Sequence, residues 1–333
     1  MSLAQLAPLY LQAVEDELRR VVGAGPPLLT EYYAMLEYHL GWTDGMSSGK
    51  RIRPLLCLLC CTAAGGAWER ALPLASAIEL LHNFTLIHDD IQDHSPLRRG
   101  RPTVWQKWGP AQAINAGDAM FTLAHLAPQG LVARGVPPET ALAALAEFDH
   151  TCLALTQGQY LDMAFEQRQR VTASDYLTMI DKKTAALIAA ATGLGAQLGG
   201  ADQSRLVHFY AYGRSLGMAF QIRDDLLGIW GDPEVTGKSA ASDIEKRKKS
   251  LPVVYGLEHS EEFAKAYAAP HPPGASVVEL AATLEAVGAR DYAEQQAREA
   301  SQAAMQHLAE AHPLEPAATA LREVTDQLLT RHS

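Results

Sequence analysis

Residues 71–93 read ALPLASAIELLHNFTLIHDDIQD, an apolar run that closes on Asp89, Asp90 and Asp93. Leu74, Ile78, Leu81 and Thr85 recur at three- and four-residue steps, which sets them along one side of a long helix with His88 or Asp89. The same period recurs through residues 111–127, 138–159, 173–198 and 204–229, whereas period-two alternation hardly appears. Pro26-Pro27, Gly65-Gly66, Pro137-Pro138, Gly199-Gly200 and residues 270–274 punctuate these runs. No fixed-period repeat and no strongly polar linker divides the chain. The pattern predicts an all-α protein, a single large helical bundle over residues 1–333. The more polar, Ala-rich residues 259–333 are expected to form a peripheral helical hairpin. Ala, Gly and Thr crowd the central helices, which points to close helix packing.

Helical geometry decides what the aspartates can do. At about 100° per residue, Asp89 and Asp93 fall within about 40° of each other, and Asp90 about 60° to the other side of Asp93. All three carboxylates therefore reach one edge, where they repel one another and require a cation. Arg98-Arg99-Gly100 follows directly. A second cluster, Gln221-Ile222-Arg223-Asp224-Asp225, precedes Lys238 and Lys248. Oxygen-rich sites of this kind suit magnesium, which is held by one or two carboxylates together with substrate phosphates. Arginine adds forked donors that match phosphate oxygens. A third basic group, Gly49-Lys50-Arg51-Ile52-Arg53-Pro54, opens an apolar helix and puts Lys50 and Arg53 on one side of it. The combination is suited to gripping a diphosphate through metal.

Bulk composition narrows the alternatives. A formal charge of −10 argues against nucleic acid as a partner, because backbone phosphates demand a cationic face. Glu15, Asp16 and Glu17 lie within the N-terminal apolar stretch, which excludes a signal peptide or membrane span there. The longest apolar run, residues 55–67, is too short to cross a bilayer. Cys57 and Cys60 have CxxC spacing without a second ligand pair, so with Cys61 and Cys152 they read as buried, reduced thiols of a cytoplasmic protein.

These residues together resemble the trans-isoprenyl diphosphate synthases, or polyprenyl synthetases. The likeness runs from Gly49 to about Leu257: the first basic group, Asp89 to Gly100, Gly158-Gln159, Asp162, Lys183-Thr184, Gln221 to Asp225, Gly237-Lys238 and Asp243 to Lys248, in the family's order. The resemblance implies a bundle around a central cavity, a homodimer, and two diphosphate sites. Lys50, Arg53, His82 and Arg99 would hold isopentenyl diphosphate. Asp89, Asp93 and Asp224, supported by Asp90 and Asp225, would bind three magnesium ions on an allylic prenyl diphosphate. Arg98, Lys183 and Lys238, helped by Lys248, would neutralise the leaving group, and Thr184, Gln159 and Gln221 would point polar atoms at the reacting carbons. Two departures stand out. Gly228 occupies the place of a third aspartate in the second motif, and Ser48 replaces a glycine common before Gly49. The tail at residues 330–333 also lacks a basic cluster.

Product length should follow from the bulk one turn below Asp89. Phe84 stands five residues before it and Thr85 four before, an aromatic beside a small residue, which resembles the geranylgeranyl type. The expected product therefore has twenty carbons. Alternatives are a farnesyl or longer-chain synthase, a class I terpene cyclase and a non-catalytic regulatory subunit. A cyclase would need no second diphosphate site, and a regulatory subunit would be expected to lose aspartates or basic pairs.

Overall fold

The computed structural model describes residues 2–43, 49–232, 241–269 and 275–330. The fold is all-α, as the periodicity predicts. Helices α1 (Leu3–Val22), α2 (Thr30–Leu40), α3 (Ile52–Ala64), α4 (Leu72–Gln92), α5 (Val104–Trp108) and α6 (Pro110–Leu126) come first. They are followed by α7 (Pro138–Gln167), α8 (Ala173–Ile180), α9 (Ala186–Leu198) and α10 (Gln203–Trp230). After these come α11 (Ser242–Glu245), α12 (Leu251–His259), α13 (Glu261–Ala268), α14 (Ala275–Ala286), α15 (Ala289–Glu310) and α16 (Ala317–Leu329). Among the described residues the only strands are Leu97–Arg98 and Arg101–Pro102, a minimal antiparallel hairpin.

Two expectations change. The segment beyond His259 holds four helices rather than a hairpin of two. Gly288, at a φ of 80°, and the prolines at 313 and 316 interrupt its Ala-rich period. Residues 173–198, read as one helix, are broken by a π turn at Asp181–Ala185.

The described chain forms two compact units: Met1–Asp149 with Ala191–Leu206 and Pro313–Leu321, and His150–Ala190 with Val207–His312 and Arg322–Ser333. In the first, α4 is the spine, packed by α1, α3 and α6. Pro73 sits in its first turn, where a missing N–H costs no hydrogen bond. Leu74, Ile78 and Leu81 are completely buried, so the predicted stripe is the core face. Gly195 and Gly199 let the end of α9 approach α3. A Cβ at these positions would stand 2.2 Å from the Cys57 carbonyl oxygen and 2.3 Å from that of Cys61. The small residues there serve packing, and Cys57, Cys60 and Cys61 are buried free thiols whose pKa values burial raises.

The second unit gathers two apolar clusters. One joins Phe165, Tyr176, Met179, Ile222, Leu251 and Val254; the other joins Ile229, Ile244, Val253, Phe263, Leu280 and Leu284. Ile222 and Ile229 both lie on α10, seven residues apart, so that helix anchors both clusters and its polar positions are fixed by the packing.

Candidate active site

In the first unit the acidic end of α4 runs into the strand hairpin. Arg99 and Gly100 form its two-residue turn at φ 53° and 74°, the left-handed pair that a twisted hairpin requires. The turn carries Arg98 back to the helix. Its Nε donates to both oxygens of Asp90 at 2.9 Å, and its Nη2 reaches Oδ1 at 2.8 Å. Asp90 is 2% exposed, and burial raises its pKa against the pull of Arg98. Asp89 is half-buried and Asp93 exposed. The three aspartates therefore divide, one turned inward onto an arginine and two directed outward.

The basic groups converge beside them. Arg53 Nη1 lies 3.2 Å from His82 Nε2, and since arginine can only donate, His82 accepts as the neutral imidazole. Burial, then the charges of Arg53 and Arg99, hold the His82 pKa well below the ordinary value. A Cβ on Gly49 would stand 2.8 Å from the Arg99 guanidinium nitrogens, which puts the start of the basic group against the diarginine turn. Lys50 is exposed at that junction. Loss of water, then the charge of Arg51, lowers the pKa of Arg99. Thus Arg53, His82 and Arg99, expected to share one diphosphate, belong to one cationic region. Arg51 has a different role. It is buried and saturated by Glu15 at 2.8 Å, Glu79 at 2.7 Å and the Leu40 carbonyl at 2.9 Å, so it braces the helix start.

A cavity of about 70 Å³ opens here, lined among others by Tyr38, His39, Asp90, Arg98, Arg99 and Arg101. His39 was not singled out by sequence. Its Nε2 has no hydrogen-bond partner among the described residues, and burial followed by Arg98 and Arg99 pushes its pKa down to about 3. Arg101 donates to the Tyr38 carbonyl at 2.6 Å and stacks 4.0 Å over the Tyr38 ring. Below the aspartates, the half-buried Phe84 ring stands 4.7 Å from His88 and 5.0 Å from Phe121. Thr85 turns its hydroxyl to the His82 carbonyl at 2.8 Å.

In the second unit α10 repeats the division. Asp224 is half-buried, while Asp225 is completely buried. The Asp225 carboxylate accepts from Tyr176 at 2.5 Å, from the Leu251 amide at 3.1 Å and from Gln221 at 3.1 Å. Burial pushes its pKa up to about 6, with Lys248 the main opposing influence. Lys248 itself is held protonated: loss of water works against its charge, but Asp225, Asp243, Asp224 and Asp162 outweigh it. Thr184 donates to Gln221 at 2.8 Å, so one chain of hydrogen bonds runs from Thr184 through Gln221 to Asp225. Lys183 meets Asp162 at 2.5 Å. Lys183 and Thr184 lie in the π turn, a widened turn often found at functional sites. Gly158 makes room for it, since a Cβ there would lie 2.4 Å from the Lys183 backbone nitrogen. Gln159 follows on the same helix, and Lys238 lies outside the described residues.

Gly228 explains itself in this unit. A Cβ there would lie 2.3 Å from Asp243 Oδ2, so the carboxylate of Asp243 fills the space that a side chain at 228 would take. Positions 224 and 228 are one turn apart on α10, hence on one face. Asp162, Tyr176 and Asp243 are the residues whose roles sequence reasoning missed. The only signal was two acids within familiar motifs.

An all-helical fold bearing two such Asp-Asp helices, each with lysine or arginine drawn in beside it, defines an isoprenoid synthase. The chain belongs to the polyprenyl synthetase family, whose model matches residues 32–283. It is 42% identical over 304 residues to a geranylgeranyl diphosphate synthase of Mycobacterium tuberculosis, covering 88% of this chain and 85% of that one. It is 43% identical over 278 residues to a (2E,6E)-farnesyl diphosphate synthase of the same organism, covering 79% and 76%. Its structure superposes, with a TM-score of 0.83 and 27% identity, on a geranylgeranyl pyrophosphate synthase of Corynebacterium glutamicum complexed with isoprenyl diphosphate and magnesium, covering 97% and 98%. The chain is a trans-prenyltransferase that uses isopentenyl and allylic diphosphates. Among the described residues no helix is long and apolar enough to cross a membrane.

Proposed function

We propose that the chain condenses isopentenyl diphosphate with an allylic prenyl diphosphate and stops at twenty carbons, as geranylgeranyl diphosphate. The observation that carries this reading is the repeated division of labour: outward carboxylates at Asp89, Asp93 and Asp224, and inward ones at Asp90 and Asp225 locked beside cations. The outward set consists of hard oxygen donors, which fits magnesium. Three ions are expected, held by Asp89, Asp93 and Asp224. Asp243, standing where a side chain at 228 would reach, is read as the third carboxylate of the second motif. When bound, magnesium supplies Lewis-acid stabilisation of charge on the allylic diphosphate.

The residues then have separable tasks. Lys50, Arg53, His82 and Arg99 bind the diphosphate of isopentenyl diphosphate, with neutral His82 orienting Arg53. Arg98, Lys183, Lys238 and Lys248 offset the charge that grows as the allylic carbon–oxygen bond breaks and its electron pair leaves with diphosphate. The oxygens of Thr184, Gln159 and Gln221 favour the allylic cation left behind. The alkene attacks that carbon, and the proton lost from the new chain goes to the released diphosphate. Asp90 and Asp225 act as positioning residues, fixing Arg98 and Lys248.

Phe84 is read as the floor of the growing-chain pocket, backed by the Phe121 ring, with the small Thr85 leaving room beside it. A cytoplasmic homodimer is the expected setting. Supporting it are the free cysteines and the exposed Leu153 and Tyr160, seven residues apart on one face of α7. The test incubates purified protein with isopentenyl diphosphate, magnesium and dimethylallyl, geranyl or farnesyl diphosphate in turn. A linear ladder ending at twenty carbons is expected, with longer products from Phe84→Ala. A cyclic hydrocarbon from one diphosphate would overturn the activity, and an unchanged ladder in Phe84→Ala would remove the floor role.

A further inference from the structure

Within the second unit, far along α10 from Asp224, three ligand-type atoms meet. His208 on α10 and His307 and Glu310 on α15 converge: His208 Nδ1 lies 3.1 Å from Glu310 Oε2 and 3.3 Å from His307 Nδ1, and His307 Nδ1 lies 3.3 Å from the same Oε2. We propose that His208, His307 and Glu310 form a binding site for a borderline divalent cation of the zinc(II) type, which clips α10 to α15.

Hydrogen bonding alone does not satisfy this triangle. Each imidazole Nδ1 carries at most one proton. If both nitrogens donate to Glu310, two N–H groups face each other across 3.3 Å. If only one is protonated, the other nitrogen turns its lone pair on the carboxylate. With Glu310 ionised, each arrangement leaves one edge of the triangle with like poles opposed. A cation at the centre of the three lone pairs removes the conflict. The dimensions agree: ligand atoms bonded tetrahedrally at about 2.0–2.1 Å stand roughly 3.3 Å apart, the edge seen here.

The surroundings are those of a ligand set. His307 and Glu310 are three residues apart on one helix, so they present to the same side. The second carboxylate oxygen of Glu310 accepts from Gln306 Nε2 at 2.9 Å, which holds Oε2 in place. The three side chains are 32%, 33% and 40% exposed, so an ion can enter and solvent can supply the fourth ligand. Two imidazoles and one carboxylate select a borderline ion over magnesium, which takes oxygen almost exclusively. The clip lies 16 residues up α10 from Asp224, about 24 Å along the axis, so it would act on stability rather than on the reacting groups.

The experiment titrates cobalt(II), then zinc(II), into full-length protein stripped with chelator and held in millimolar magnesium, so that hard oxygen sites are already occupied. The result expected is one equivalent of cobalt with the strong visible absorption of four-coordinate geometry, displaced by zinc. Affinity should fall about 10- to 100-fold or more in His208→Ala and in Glu310→Gln. Circular dichroism and prenyl transfer in magnesium alone should match the parent in both variants, and the zinc-dependent rise in melting temperature should vanish. Absence of the four-coordinate spectrum would overturn the site, as would the same stoichiometry and affinity in both variants.

Discussion

The two aspartate motifs solve one problem with different means. Each must keep one carboxylate inward beside a cation while others face outward. At the first motif the means are local: Asp90 is closed by Arg98, eight residues on, carried back by a two-residue turn. At the second, Asp225 is closed by Tyr176, 49 residues before it, by the Leu251 amide, 26 after it, and by the charge of Lys248. The space of a side chain at Gly228 is filled by the Asp243 carboxylate. The first motif is thus a sequence motif that folds on itself, whereas the second is assembled by the packing of its unit.

That contrast can be broken at the first motif by removing its single clamp. Arg98→Ala leaves a buried carboxylate uncompensated, and should cost about 3–5 kcal/mol of stability in denaturant unfolding, with Asp90→Asn/Arg98→Ala recovering part of it. A loss within 0.5 kcal/mol would show that Asp90 needs no partner. At the second motif the clamp is spread over several groups, so single changes should cost less. Gly228→Ala drives a methyl into the Asp243 carboxylate and should destabilise by about 1–3 kcal/mol. The same change in an Asp243→Ala background should be close to neutral, because the obstructing group is gone. Equal costs in both backgrounds would separate position 228 from Asp243.

The pH dependence separates the two regions by sign. His39 titrates at about 3 when folded against 6.5 ordinarily, so the unfolded chain binds its proton first. Its contribution is complete above about pH 6.5 and is lost as pH falls towards 3. Asp225 titrates at about 6 against 3.8, so the folded chain binds its proton first. Its contribution is complete below about pH 4 and is lost as pH rises through 6. Unfolding midpoints between pH 4 and 7 should therefore respond in opposite directions to His39→Asn and Asp225→Asn. Parallel shifts would contradict the two environments.

The same contrast accounts for what the sequence revealed. The stripe Leu74, Ile78 and Leu81 and the acidic end of α4 follow from a 3.6-residue period. The inward turn of Asp90 onto Arg98 does not, because helical spacing alone sets all three carboxylates on one edge and says nothing of where the following turn returns the arginine. Tyr176, Asp162 and Asp243 were not readable, because each acts on a partner many residues away. The π turn at Asp181–Ala185 was hidden because nothing in its composition differs from a continuing helix. His39 was hidden because a lone histidine between apolar residues signals nothing until Arg98, Arg99 and Arg101 surround it. Gly228 reads in the sequence only as a departure from the second motif, because the carboxylate that fills its space, Asp243, lies 15 residues on.

The division into outward and inward carboxylates is tested most directly by the magnesium dependence of chain elongation in Asp224→Asn and Asp225→Asn. The account predicts that Asp224→Asn raises the magnesium needed for half-maximal rate at least about tenfold, since even the loss of a group that only orients a metal ligand typically costs about 10- to 100-fold. Asp225→Asn should lower the rate at saturating magnesium while leaving that half-maximal concentration unchanged. A shift in Asp225→Asn as large as that in Asp224→Asn would make the buried carboxylate a metal ligand and contradict the division.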